Sequence, residues 1–152
     1  MSIRDLPRVV LDTNVGLDLW LFGDPRCAPL REAVETRRVL VVDDLRCRAE
    51  WQRVLAYPEL DRDAGKRSAA ALSYAAWVAD AGTLPAAPAR PVRLPRCEDP
   101  DDQKFVEVAH AVGALALFTR DNALLALARR IKAASGFMIL TPARFGRVAA
   151  RL

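Results

Sequence analysis

Arg8-Val9-Val10-Leu11-Asp12-Thr13-Asn14 sets a short β-branched run directly against three residues that open helices well. An apolar run of this length reads as a strand buried inside a sheet. Asp, Thr and Asn each accept hydrogen bonds from the free amides of a first helical turn. A buried strand that passes straight into a helix is the start of a βα unit. It predicts a parallel sheet whose strand ends gather along one edge, where α/β folds place their ligands. Whatever stands at position 12 is then displayed at that edge.

Working outward, Val39 to Val42, Ala114 to Phe118 and Phe137 to Leu140 read as further strands. Between them the periodicity predicts helices. A short apolar helix over Val15 to Phe22 is stopped by Gly23-Asp24-Pro25, and a second covers Pro29 to Arg37. Asp43-Asp44 caps a third, from Leu45 to Tyr57, which Pro58 closes. Asp61 or Asp63 caps a long alanine-rich helix running to about Asp80, with Gly82 as its terminator. Pro85, Pro88, Pro91 and Pro95 exclude regular structure from Thr83 to Cys97, which reads as a surface loop. Asp102 to Val112 and Asn122 to Ala134 complete the helices. Strands alternating with helices imply an α/β fold with its sheet covered on both faces.

At 152 residues and 52% hydrophobic, the chain can bury one core, so a single domain over residues 1–152 is expected. The charged fraction of 28% and a mean hydropathy near zero argue for an ordinary soluble protein rather than a disordered one. No apolar run reaches the ~18 residues of a membrane span, and the start lacks a secretory apolar block, so a cytoplasmic location is expected. Cys27, Cys47 and Cys97 are odd in number and contain no CxxC pair, which points to neither a disulfide framework nor a zinc site. The net charge of +4 suits a polyanionic partner without requiring one. Lys66, Lys104 and Lys132 are the only lysines; arginine carries the rest of the positive charge. Arginine grips phosphate through a planar fork, although codon usage also enriches it.

Four acidic stretches fall at strand ends or along helices. Asp12 either caps the following helix or presents a carboxylate at the sheet edge. Glu50 lies mid-helix, at the border of an apolar stripe of Cys47, Trp51, Val54 and Leu55, where it pairs with Arg46 or Arg53 or turns inward. Asp99-Pro100-Asp101-Asp102 has the composition of a helix N-terminus. Asp102 shares the face of Phe105, Val106 and Ala109, while Asp101 points to one side. An inward carboxylate needs a partner, which a divalent cation shared with Asp12 or bonds from backbone amides would supply. Asp121 is a ready cap for the helix starting at Asn122, and Thr119 offers a hydroxyl nearby. Arg120 either holds a substrate phosphate or offsets the acids. His110 sits on the flank away from Asp102, and Trp20, Trp51 and Trp77 fall in core patterns.

VVLDTNV at the start, AEWQRVLAYPEL around Glu50, CEDPDDQKFVEVA around Asp102, FTRDNALL around Asp121 and ILTPARF near the end come in the order and spacing of the PIN-domain family. The chain resembles in particular its bacterial members that act as toxins of toxin–antitoxin pairs. The resemblance spans essentially the whole chain. It implies a three-layer α/β/α fold with a central five-stranded parallel sheet, and a carboxylate cluster that binds Mg²⁺ or Mn²⁺ and hydrolyses RNA phosphodiesters. Carried onto this sequence, Asp12, Glu50 and Asp102 are the core metal ligands and Asp121 the variable fourth. Asn14, Thr119, Asp99 and Asp101 support them, and Arg46, Arg53 and Arg120 are candidate phosphate contacts. Asp44 stands where relatives often have Ser, and Arg120 where they often have Gly.

The expected activity is thus that of a metal-dependent endoribonuclease, with RNA as substrate, a small antitoxin as partner and a homodimer as a further possibility. The alternative is a catalytically inactive module that sequesters a protein or RNA, with the acids serving as caps and ion pairs. A haloacid-dehalogenase-like phosphatase also begins with a strand-end aspartate, but needs a second acid where this chain has Asn14.

Overall fold

The structure is a computed structural model that describes residues 2–86 and 91–152. Five strands, β1 (Arg8–Leu11), β2 (Leu40–Asp43), β3 (Val78–Asp80), β4 (Ala116–Phe118) and β5 (Met138–Leu140), pair in the order β3-β2-β1-β4-β5. Every pairing is parallel. All strand ends therefore lie along one edge. The chain builds outward from β1 to β2 and β3 on one side, then crosses to β4 and β5 on the other. The change of direction opens a crevice between the carboxyl ends of β1 and β4.

Side chains alternate across each strand and divide the core in two. Val9, Leu11, Val41, Phe118 and Leu140 face one layer, made by α1 (Thr13–Leu17), α2 (Ala28–Glu35), α4 (Ala64–Trp77) and α8 (Gly146–Ala149). Val10, Val42, Leu117 and Ile139 face the other, made by α5 (Gln103–Ala111), α6 (Asn122–Leu125) and α7 (Ala128–Ala134). The helix α3 (Leu45–Leu55) straddles them, giving Trp51 and Leu55 to the first cluster and Cys47 to the second. This is the expected three-layer α/β/α arrangement.

Local differences from the sequence reading have physical causes. The alanine-rich helix ends at Trp77 rather than near Asp80, and Val78–Asp80 becomes the edge strand β3. Its three residues pair with Val41, Val42 and Asp43. Arg48 then ties Asp43 to Asp80 at 2.6 and 3.4 Å, a clamp that no local pattern announces. The helix expected over Asn122 to Ala134 breaks at Ala126-Leu127 into α6 and α7. The one expected over Val15 to Phe22 starts at Thr13 and widens into a π-helical turn from Asp18 to Phe22, ended by Gly23 at φ 61°. A 3₁₀ turn over Ala81–Thr83 leads into the proline-rich segment. Pro88 lies outside the described residues.

The tryptophans pack as expected: Trp51 stacks on Tyr74 at 4.4 Å, and Arg37 covers Trp77 at 4.8 Å. A Cβ on Gly16 would stand 3.2 Å from Trp51, so glycine permits α1 and α3, which carry Thr13 and Glu50, to approach closely. Among the described residues no helix is long and apolar enough to cross a membrane.

Candidate active site

Asp12 is the first residue beyond β1, and Thr119 the first beyond β4. Asp12 N–H donates to Phe118 O at 2.9 Å and Thr119 N–H to Leu140 O at 2.9 Å, so sheet bonds fix both at the crevice. Both are buried. Thr119 Oγ1 donates to Asp12 Oδ2 at 2.8 Å and accepts from the Asp121 amide at 2.9 Å. The hydroxyl proton is thereby committed to Asp12.

Helix capping accounts for some of the acids and fails for others. Asp44, Asp63, Asp80, Asp99 and Asp121 accept bonds from the free amides of the turns they open. Asp12 and Asp102 occupy the capping positions of α1 and α5, yet neither side chain makes a capping bond. They turn toward one another's neighbourhood instead. Asp102 shares a hydrogen bond with Asp121, whose Oδ1 also caps the Ala123 amide at 2.8 Å. Asp121 is therefore a helix cap that also lies against Asp102.

Glu50 is not in the local ion pairs expected from its helix. Arg46 pairs with Asp44 at 2.9 Å and Glu107 at 3.1 Å, and Arg53 is exposed. Glu50 Oε1 accepts from Lys104 Nζ at 2.8 Å, and Oε2 from the Thr13 hydroxyl. Lys104 also donates to the Asp101 carbonyl. Glu50 is thus drawn toward α1 and α5, the helices that begin just after Asp12 and Asp102.

Charge binds the four acids into one unit. Burial raises the Asp12 carboxyl above its ordinary range, Glu50 and Asp121 add repulsion, and the Thr119 bond opposes them. Asp102 is pushed up to about 7, first by burial, then by its bond with Asp121 and the charges of Asp12 and Asp121.

Of the supporting residues, Thr119 is at the centre, Asn14 is exposed on the first turn of α1, and Asp99 and Asp101 are exposed, with Asp99 capping the Asp101 amide at 2.9 Å. Arg120 turns aside to pair with the buried Asp18 at 2.5 Å. His110 bonds Ser135 at 2.6 Å, near the far end of α5. The cysteines are buried free thiols, and burial pushes Cys47 up to about 12, which leaves it no nucleophilic role. Sequence reasoning missed Thr13, Lys104 and Asp18 as participants. Lys104 carried a signal: it is one of three lysines in an arginine-rich chain, two positions after Asp102.

Four carboxylates and two hydroxyls make an all-oxygen donor set, the chemistry that suits Mg²⁺ or Mn²⁺ rather than a softer metal. Excess negative charge held in a buried crevice fits a divalent cation as well. As the side chains stand, no group of three or more Asp, Glu, His or Cys among the described residues is arranged to hold one ion. Glu50 is engaged by Lys104 and Thr13, and Asp102 by Asp121.

A parallel α/β sheet with an acidic crevice at its carboxyl edge defines the class of protein. The PIN domain family model matches residues 8–123, which include all four acids, and the chain belongs to that family. Its members are in general nucleases that use divalent metal ions. The crystal structure of PAE2754 from Pyrobaculum aerophilum is similar over 95% of this chain and 90% of that one, at 14% identity and a TM-score of 0.46, a likeness too slight to argue from. No curated protein matches.

Proposed function

We propose that the protein is a cytoplasmic endoribonuclease dependent on Mg²⁺ or Mn²⁺, and the toxin of a toxin–antitoxin pair. The observation that carries the nuclease reading is the pair of non-capping carboxylates, buried Asp12 and half-buried Asp102, whose charges act on each other and on two further acids at the β1–β4 crevice. Asp12, Glu50 and Asp102 would hold the cation, with Asp121 as fourth. When bound, the cation supplies Lewis acidity toward the scissile phosphate and the attacking water. Thr119 holds the Asp12 carboxylate in one orientation. Thr13 and Lys104 set the position of Glu50, and Lys104 lends positive charge beside an anionic substrate. Asp102, with its raised proton affinity, is suited to hold or release a proton at the site. The exposed Arg53 on α3 remains a phosphate contact in this proposal.

A small antitoxin would be the natural partner, and a homodimer is compatible with the family. The test is cleavage of single-stranded RNA by purified protein with Mg²⁺ or Mn²⁺. Cleavage should vanish with EDTA and in Asp12→Asn. Cleavage that persists in both would overturn the metal-carboxylate mechanism, and no cleavage by the wild-type protein under any metal would favour the sequestering module.

A further inference from the structure

Arg120 stands between two members of the acidic crevice, Thr119, which donates to Asp12, and Asp121, which bonds Asp102. Attraction to the acids would draw a guanidinium at this position inward. It goes the other way. Arg120 Nε donates to Asp18 Oδ2 at 2.5 Å, and Nη2 to Asp18 Oδ1 at 3.3 Å. The side chain thereby lines a pocket of about 140 Å³ that it shares with Asp18, Asp24, Arg26 and Thr141, and none of the four crevice acids is on its wall. The charge of Arg120 is felt at Asp18, Asp24 and Cys27, whereas the strongest charges acting on Asp12 and Asp102 are other acids.

Asp18 is a fixed anchor for this pair. It is 5% exposed, and its backbone is tied on both sides. Its N–H donates to the Asn14 and Val15 carbonyls at the end of α1, and its carbonyl accepts from the Gly23 and Asp24 amides where the π-helical turn closes. Asp24 is already taken by Arg26 at 2.7 Å, which leaves Asp18 to hold Arg120. A buried ion pair adds little net stability over apolar residues of the same size. What this one fixes is where a positive charge goes. Lys104 already sets one cation against Glu50. A second inside the crevice would satisfy more of the acids and compete with a divalent ion for them.

We propose that Asp18 is a positioning residue for the cation site: it holds the Arg120 guanidinium outside the acidic crevice and so keeps the crevice carboxylates free for Mg²⁺ or Mn²⁺. This role rests on the reading of the crevice as a cation site. Asp18 touches neither the ion nor the substrate and acts only through Arg120.

The test is Mn²⁺ affinity by calorimetry on the wild type, Asp18→Asn, Arg120→Met and the double variant, each checked for folding by its melting temperature in EDTA. Asp18→Asn frees the guanidinium and should weaken Mn²⁺ binding about tenfold. Arg120→Met removes the competing charge and should bind at least as tightly as the wild type. The double variant should return to wild-type affinity. An ion pair that merely braced the crevice would give weaker binding in all three, so Arg120→Met alone separates the two roles, whatever the stability of the Asp18 variants. A crystal structure of metal-free Asp18→Asn should show the Arg120 guanidinium on a crevice carboxylate. Four results overturn the proposal: wild-type affinity in Asp18→Asn, weaker binding in Arg120→Met, a double variant no better than Asp18→Asn, or a guanidinium that stays outside the crevice in that crystal structure. Each of these leaves the cation site standing. A wild-type protein that binds no Mn²⁺ would remove the site itself, and this role with it.

Discussion

Two buried aspartates stand at the ends of neighbouring parallel strands, and they are compensated in opposite ways. Asp43 closes β2 and is 3% exposed; Asp12 follows β1 and is 4% exposed. Asp43 receives two bonds from Arg48, at 2.6 and 3.2 Å, and one from Tyr74 at 2.9 Å. Asp12 receives one side-chain bond, from Thr119, and its charged neighbours are acids. Burial raises the carboxyl of both, but at Asp43 a guanidinium and a phenol offset the rise while at Asp12 Glu50 and Asp121 add to it. Equal burial therefore carries different meanings. A carboxylate surrounded by donors holds the fold together, and here clamps β3 to β2. One surrounded by carboxylates is an unfavourable arrangement that a cation would relieve, which is the mark of a site.

The largest contrast is between two conservative substitutions. Asp12→Asn should cut RNA cleavage by about a thousandfold or more, on the scale of losing a principal electrostatic element of catalysis, while leaving the metal-free fold as stable or more so. Asp43→Asn should do the reverse. Its loss leaves Arg48 without its buried partner and should cost about 2 kcal/mol, an allowance reduced for the partial exposure of Arg48, with activity per folded molecule largely kept. Chemical denaturation and single-turnover cleavage on both variants check this pairing.

Next comes pH. Asp102 has its folded-state carboxyl raised to about 7, whereas the unfolded chain titrates near ~3.9. The folded state binds the proton more tightly, so this contribution is complete below the unfolded value and is lost as pH rises through the folded one. In EDTA the melting temperature should fall by about 3–5 °C between pH 5 and 7.5. Asp102→Asn should flatten that slope, and Asp43→Asn should retain it.

A smaller effect is expected at Lys104, whose ammonium lies 2.8 Å from Glu50. Lys104→Met removes a positive charge from beside the acids and should tighten Mn²⁺ binding by about three- to tenfold in calorimetry. Weaker binding would mean that Lys104 is needed to orient Glu50 rather than competing for it.

The same contrast shows what the sequence could disclose. RVVL followed by Asp12 announced a strand and a carboxylate at the sheet edge because both signals are local, and helical spacing announced a sheltered position for Asp102, which is half-buried. The fate of the acids was less visible. Asp43-Asp44 and Asp12-Thr13-Asn14 both read as helix starts, and their difference lies in Arg48 and Tyr74 on one side and Glu50 and Asp121 on the other. Those neighbours are brought in by the fold. The strand β3 was hidden for a similar reason: Val78-Ala79-Asp80 continues an alanine-rich helical pattern, and only pairing with β2 draws it out. Lys104 reaches Glu50 across 54 residues, beyond any pattern in the chain.

On this contrast the crevice around Asp12 should take a cation and the neighbouring cluster around Asp43 should not. A thermal-shift titration with Mn²⁺ tests it directly, because a ligand that binds only the folded state raises its melting temperature. The wild type and Asp43→Asn should both rise with Mn²⁺, and Asp12→Asn and Asp102→Asn should rise little or not at all. A shift in Asp12→Asn as large as that of the wild type would show that Asp12 holds no cation.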